Sequence, residues 1–347
     1  MLKGTSCMDR DPLYERILGC LLVAALGDAL GAPTEGCSRA DIMRRYGGLV
    51  RDFQPRAADA WAAGLRPGEV TDDTSQLLAF ARALIACDGE LDAGRWSVAL
   101  RDWLLTSPKA RLAGPSTKRL LDSEQDGPSG WRNDARVGVT NGAAMRVAPA
   151  GLVCPGDIER AVRLAWVCCQ PTHDTQVAAA AAGAIAGGIA IALTSQGELG
   201  AVVDACRRGA QLGEALGARG GWWVPAPRVA DQIELAVSAA GETASLEAAL
   251  TRIAARVGTS GLAAESVPAA IGVFVAARGW PYDAIVAGAS IGGDCDTIAS
   301  MAGALAGAFR GLEGIPADLV ARFDAANDED LAGVAVMLHE LARRRTT

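Results

Sequence analysis

Two short segments concentrate oxygen donors in this sequence. Thr71-Asp72-Asp73-Thr74 and Gly292-Gly293-Asp294-Cys295-Asp296-Thr297 each stand immediately before an amphipathic stretch, which places carboxylates and hydroxyls at a helix N-terminus. Capping alone suits such residues, because Ser, Thr and Asp accept the orphan N–H groups of a first turn and favour the helix dipole. Together, however, the segments hold four aspartates flanked by threonine, and the glycine pair of the second permits close backbone approach. If they meet in space, that much negative charge requires a counter-ion. Oxygen-only donors suit hard cations such as Mg2+, Mn2+ or Ca2+. Four aspartates can bridge two such ions about 3.5–4 Å apart, an arrangement that activates water and clamps substrate oxygens. Zinc fits less well, since His173 and His339 are the only histidines and neither stands in a zinc-ligand spacing.

Other residues could complete a site. Glu35 ends the run GDALGAPTE at 27–35, just past a helix that Pro33 terminates, and Asp28 in the same run could brace the Glu35 turn or the groups behind it. Gly138–Gly142, with Thr140 and Asn141, is a glycine-containing loop that opens a helix; it suits backbone N–H contacts to phosphate and equally an Asn-Gly turn. His173 in PTHDTQVA opens an alanine-rich helix, where a cap or a buried partner is the simplest role. His339 lies on a charged C-terminal helix and is expected at the solvated surface. Trp61, Trp131, Trp222 and Trp223 fall in loops, where one could stack on a base and where such residues more often cover core edges.

Four runs in order, GDALGAPTE at 27–35, TDDT at 71–74, NGAAMRVAPAG at 141–151 and GGDCDTIASMAGALAGA at 292–308, resemble the ADP-ribosylglycohydrolase family, and the resemblance extends over about 14–325. It implies an all-α, orthogonally packed single domain with a binuclear Mg2+ or Mn2+ centre at the bottom of a cleft. It implies Thr71, Asp72, Asp73, Asp294, Asp296 and Thr297 as metal ligands, Glu35 as a catalytic or gating carboxylate, the stretch from Gly138 through Thr140 and Asn141 to Gly142 as the pyrophosphate loop, and His173 as a cleft-lining residue. The implied reaction removes ADP-ribose from a modified protein side chain, with an arginine-type N-linkage favoured, or from a small ADP-ribosyl conjugate. Water attacks ribose C1 while Glu35 or the metal-site carboxylate Asp296 takes its proton. The complete ligand set disfavours a non-catalytic ADP-ribose-binding protein. Recognition of a ribose diol also admits hydrolysis of another ribosyl N-glycoside, such as a nucleoside or nucleotide metabolite.

Helices must position these groups. Ala and Gly dominate the apolar half of the 347 residues, aromatics are 5%, and β-branched runs are scarce, which favours closely packed helices over sheets. Asp11 and Pro12 open a helix to about Gly31, on which Gly27 and Gly31 share a face that lets another backbone approach. Helical periodicity resumes at Asp73 and recurs near 92–106, 111–122, 141–150, 157–169, 174–194, 198–217, 226–239, 245–257, 264–277, 281–290, 297–310, 316–325 and 329–344. Stretches 47–68 and 122–140 read as long loops, the kind that carries function, and loop shape around 36–70 and 122–140 would read the acceptor group. Because the two aspartate segments are more than 200 residues apart, their union requires N- and C-terminal helices to pack together, which argues for one domain over residues 1–347.

The remaining composition excludes several classes. A net charge of −7 without a lysine-rich block argues against general nucleic-acid binding or attachment to an anionic membrane. The apolar stretches 17–26 and 177–193 read as buried helices, being respectively too short and too rich in Ala and Gly to favour lipid. Nine scattered cysteines without a CxxC pair suit small buried hydrophobes, and a polar N-terminus suits a reducing, cytoplasmic setting. No oligomeric state follows from these features.

Overall fold

A computed structural model describes residues 11–56, 63–122, 138–242 and 245–344. Among these residues it contains sixteen α-helices and no strand, only two isolated bridges, Thr140 to Leu262 and Thr175 to Trp222. The expected all-α architecture is therefore the observed one.

Pro12–Gly31 forms the first helix, with Asp11 accepting the Leu13 N–H at 3.0 Å and proline in the first turn. It packs along Cys295–Arg310, and glycines make the close approach possible. A methyl group built on Gly31 would stand 2.5 Å from the Cys295 carbonyl oxygen, and one on Gly27 would collide with the Ala299 carbonyl. The face shared by Gly27 and Gly31 thus joins the N-terminal helix to the one that carries Asp296. The N-terminal helix is long and apolar enough to cross a membrane, but 94% of its apolar window is buried inside the protein. A second glycine seam joins Gln176–Ala192 to Leu199–Gly220, where Gly183 faces Gly209.

Most helices begin and end within three residues of their expected bounds; four features differ. Arg39–Tyr46 is a helix that the periodicity missed, although its signals are local: Ser38 accepts the Asp41 N–H at 3.1 Å and Gly47 closes it at φ 70°. The stretch expected as helix 111–122 is split into a 3-10 turn, Pro108–Leu112, and a short helix, Pro115–Asp122, because Pro115 has no N–H to continue the ladder. The expected helix 141–150 is likewise a 3-10 turn, Asn141–Ala143, followed by Ala148–Leu152. Here tertiary pairing wins: Asn141 N–H donates to Gly261 O at 3.0 Å, and Ala263 N–H donates to Val139 O at 3.0 Å. Finally, His339 is not on the solvated surface but buried, 2.8 Å from an Asp11 oxygen and edge-on to Tyr14, because the helix Leu331–Arg343 packs on the start of the first helix.

Of the two expected long loops, 47–56 and 63–68 contain no helix, whereas 57–62 and 123–137, with Trp61 and Trp131, lie outside the described residues. The eight described cysteines are free thiols and six are buried, in keeping with their reading as small hydrophobes.

Candidate active site

Asp28 organises the first aspartate segment from behind. Buried in the first helix, its carboxylate accepts the Thr71 N–H at 3.0 Å, the Thr74 N–H at 3.2 Å and the Thr74 hydroxyl at 2.6 Å. These donors are the orphan groups of Asp72–Ala86, so Asp28 supplies from another helix part of the capping that a local residue normally provides. Thr71 completes it by accepting the Asp73 N–H at 3.2 Å. Of the two roles open to Asp28, bracing the Glu35 turn or bracing other groups of the site, the second is the one its hydrogen bonds show. Asp72 and Asp73 are left facing a cavity.

The second segment is aimed by its glycines. Gly292 and Gly293 have φ of 91° and 83°, conformations that side-chain-bearing residues rarely adopt. They allow Gly293 N–H to reach Cys37 O at 2.9 Å and Asp294 N–H to reach Thr259 O at 2.8 Å. Asp294 stands at the N-cap position of Cys295–Arg310 without a close side-chain capping bond. Its carboxylate instead receives the Asn141 amide, whose other contact is Ser266 Oγ at 2.9 Å. Glu35 enters from the end of the first helix, just past the turn Ala32–Thr34, and accepts the Cys295 N–H at 3.0 Å.

These elements meet around one cavity of about 350 Å3. Glu35, Asp72, Asp73, Asp294, Asp296 and Thr297 line it together with Thr140, Asn141, Gly142 and His173. Carboxylate oxygens of Glu35, Asp294 and Asp296 lie within 4.8 Å of one another. Two expected site residues stand back from the cavity. Thr71 is buried at its capping position, and Gly138 packs against the Thr172–His173 backbone while its carbonyl accepts the Thr175 hydroxyl at 2.8 Å. Trp222 and Trp223 are exposed and do not line it. Gly114–Thr117, Met145 and Gly261 do, and sequence reasoning missed them; the Gly114-Pro115 break was the available signal for the first.

The electrostatics follow from this crowding. Burial, reinforced by the Asp294 charge, pushes Glu35 up to about 7, and burial with the Asp28 charge pushes Asp72 up to about 7. Asp73 and Asp296 are held well above the usual carboxylate range by burial and by their charged neighbours. Arg56 offers one positive charge that acts on Asp28 and Asp296, too little to balance the cluster. Asp73 Oδ2 is buried without a hydrogen-bond partner among the described residues. An orphaned carboxylate oxygen within an all-oxygen donor set fits a hard divalent cation. His173 is shifted in the opposite sense, its imidazole kept neutral by burial and by the charges of Arg146 and Arg119.

Comparison with known proteins agrees with this geometry. The sequence profile of the ADP-ribosylglycohydrolase family matches residues 9–347. The YegU protein of Escherichia coli K12 is 32% identical over 95% of this chain and 98% of its own. Human ADP-ribosylhydrolase ARH3 is 28% identical over 87% of each chain. The ADP-ribosyl-dinitrogen reductase glycohydrolase of Rhodospirillum rubrum is 32% identical over 49% of this chain and 55% of its own. A solved structure described as an ADP-ribosylglycohydrolase-related protein complex superposes with a TM-score of 0.68 at 25% identity, covering 95% of this chain and 99% of that one. With a carboxylate-lined cavity built from the four ordered motifs and a family match over nearly its whole length, the chain belongs to the ADP-ribosylglycohydrolase family.

Proposed function

We propose that this protein is a metal-dependent glycohydrolase that releases ADP-ribose from a modified side chain, with an arginine-type N-linkage favoured, or from a small ADP-ribosyl conjugate. The observation that carries the reading is the convergence of Glu35, Asp294 and Asp296 oxygens within 4.8 Å of one another in a cavity that Thr140, Asn141, Gly142 and His173 also line. Asp72, Asp73, Asp294, Asp296 and Thr297 would hold two divalent cations, Mg2+ or Mn2+, with Thr71, the sixth ligand that the resemblance implies, buried beside them at its capping position. Such ions would supply Lewis acidity toward the ribose hydroxyls and lower the pKa of the attacking water.

The chain's own residues account for the rest. Glu35 stands at the cavity beside Asp296 and shares a hydrogen bond with it, which places a carboxyl pair where a proton can be taken up and passed on. One of the pair takes the proton of the water whose oxygen bonds to ribose C1 as the C1–N bond breaks, and passes a proton to the leaving nitrogen, which restores the carboxylate. Thr140 and Gly142 face the volume where the rest of the ligand would lie. We read residues 1–347 as acting in one domain, and the free thiols accord with a reducing, cytoplasmic setting.

The test is hydrolysis of defined conjugates, ADP-ribosyl-arginine, ADP-ribosyl-serine and a simple nucleoside, with Mg2+, Mn2+ or chelator. Metal-dependent release of ADP-ribose from the arginine conjugate is expected. Turnover of the nucleoside alone, or ADP-ribose binding without turnover of any conjugate, would overturn it.

A further inference from the structure

Arg146 does not line the cavity, yet two chains of hydrogen bonds run from it to residues that do. It is 0% exposed, with its guanidinium 5.5 Å from the Trp96 ring centroid. One arm starts at NH1, which donates to Gln76 Oε1 at 2.6 Å, while Gln76 Nε2 donates to Asp72 Oδ2 at 2.7 Å. The other starts at NH2, which lies 2.6 Å from Thr172 Oγ1; that oxygen is 2.7 Å from His173 Nδ1, and His173 Nε2 is 2.9 Å from Thr140 Oγ1. Asp72 and Thr140 both line the cavity.

A guanidinium has donors and no acceptor, and this fixes the sense of every later bond. Gln76 must turn its carbonyl oxygen to Arg146, so its NH2 group faces Asp72 and holds that carboxylate as an acceptor. Thr172 Oγ1 must accept from Arg146, so its own proton needs an acceptor. Among the described residues, His173 Nδ1 is the one within reach of that hydroxyl. With Nδ1 accepting, a neutral imidazole carries its proton on Nε2 and donates it to Thr140 Oγ1. The Thr140 hydroxyl proton is then left to point away from His173.

We infer that Arg146 is a positioning residue that sets the direction of both arms, keeping Asp72 an acceptor toward a cation and making Thr140 a hydroxyl donor toward an acceptor oxygen of the ligand, such as a phosphate or sugar oxygen. The burial of His173 and the neighbouring charges, which keep the ring neutral, are consistent with a fixed tautomer. The identity of the ligand rests on the function proposed above; the tautomer and the orientation of Gln76 do not.

The test is made on the ligand-free full chain. With two histidines in the sequence, 15N-histidine labelling and long-range 1H–15N correlation read each ring, and His339→Gln assigns the signals. The expected result is His173 protonated at Nε2 and bare at Nδ1 near neutral pH. A ring protonated at Nδ1, or an imidazolium, overturns the inference. Thr172→Val, which cuts one arm, should let the other tautomer appear without changing Mn2+ affinity. Gln76→Met, which cuts the other, should leave the tautomer intact and weaken Mn2+ binding about 10-fold or more, as loss of a group that orients a ligand does. Arg146→Lys should disturb both readouts. A folded Arg146→Lys protein with native tautomer and native Mn2+ affinity overturns the inference; if that variant fails to fold, unchanged readouts in Thr172→Val and Gln76→Met do the same. Failure of the conjugate panel would leave the tautomer result standing, so the two readings fall separately.

Discussion

Glu35 accepts the backbone N–H of Cys295 at 3.0 Å, across 260 residues of sequence. The bond gives the carboxylate two roles at once, since it caps the helix Cys295–Arg310 and stands among the oxygens of Asp294 and Asp296. The two roles separate in Glu35→Gln, because the amide oxygen still accepts the Cys295 N–H while the charge and the transferable proton are lost. We expect kcat to fall about 10²- to 10⁴-fold, the usual contribution of a general acid or base. Metal content measured on the gel-filtered protein should match the wild type. Loss of metal in this variant would make Glu35 a ligand and end its assignment as the proton acceptor.

Removing Asp296 tests the cation reading directly. Asp296→Ala should abolish turnover and weaken Mn2+ binding, yet the metal-free variant should melt no lower than the metal-free wild type. The reason is that Asp296 is held well above the usual range by burial and by Glu35, Asp73 and Asp294, so deleting it relieves repulsion as well as removing packing. Calorimetry with and without Mn2+ reads both effects. Wild-type activity or wild-type Mn2+ affinity would exclude the two-cation site.

The same repulsion sets a pH dependence for the metal-free protein. Glu35 and Asp72 are pushed up to about 7 in the folded state, and Asp73 and Asp296 are held well above the usual carboxylate range. In the unfolded chain such groups titrate at about 4. Between about 4 and about 7 the folded state therefore holds more protons than the unfolded state, and stability falls as pH rises by about 1.4 kcal/mol per pH unit for each such proton. The stabilisation is fully present below the unfolded value and is lost as pH rises through the folded one. Chelator-treated protein should melt higher at about pH 5.5 than at about pH 7.5, and Mn2+ should shrink the difference by binding the ionised groups. Melting that rises with pH across this window in chelator would refute the assigned shifts.

Asp28 distinguishes bracing from ligation. Asp28→Ala leaves the Thr71 N–H, the Thr74 N–H and the Thr74 hydroxyl without their buried acceptor, at about 1–3 kcal/mol each, partly offset by removal of a charge that raises Asp72 and Asp73. A net loss of at least about 2 kcal/mol is expected in urea unfolding of the metal-free protein. A loss of stability confined to the metal-loaded protein would instead point to Asp28 as a ligand.

How much of this was legible in the sequence depended on the range of the signal. Asp11-Pro12, the TDDT segment and the Gly27/Gly31 face are local patterns with local physical causes, and they correctly place the helices Pro12–Gly31 and Asp72–Ala86 and the face by which the first of them meets another backbone, that of Cys295–Arg310. Ser38 and Gly47 were equally local, but the helix between them has one buried residue, Ile42, and so little apolar periodicity to detect. The groups that hold the site were not legible. Arg146 reads as an ordinary charge in an apolar run, and only the fold shows it buried between Gln76 and Thr172. Asn141 reads as part of a phosphate-contacting loop or an Asn-Gly turn, but its bond to Asp294 spans 153 positions. His339 reads as surface because its partner Asp11 is 328 residues away.

The glycine seam gives the last prediction, because it contains its own control. A methyl on Gly31 would stand 2.5 Å from the Cys295 carbonyl and 2.6 Å from Asp296 Cα, whereas a methyl on Gly19, three turns earlier, would stand 2.5 Å from Gly311 Cα. Both substitutions force the same two helices apart by a similar amount, and overpacking of this kind costs about 1–3 kcal/mol. Gly19→Ala should therefore lower the melting temperature with Mn2+ affinity nearly unchanged. Gly31→Ala should lower it comparably and also displace Asp296 from Glu35 and Asp294, weakening Mn2+ binding and raising KM along with lowering kcat. Equal loss of Mn2+ affinity in the two variants would mean that the seam acts through general stability. A loss confined to Gly31→Ala would mean that the close approach of these helices is what places the carboxylates.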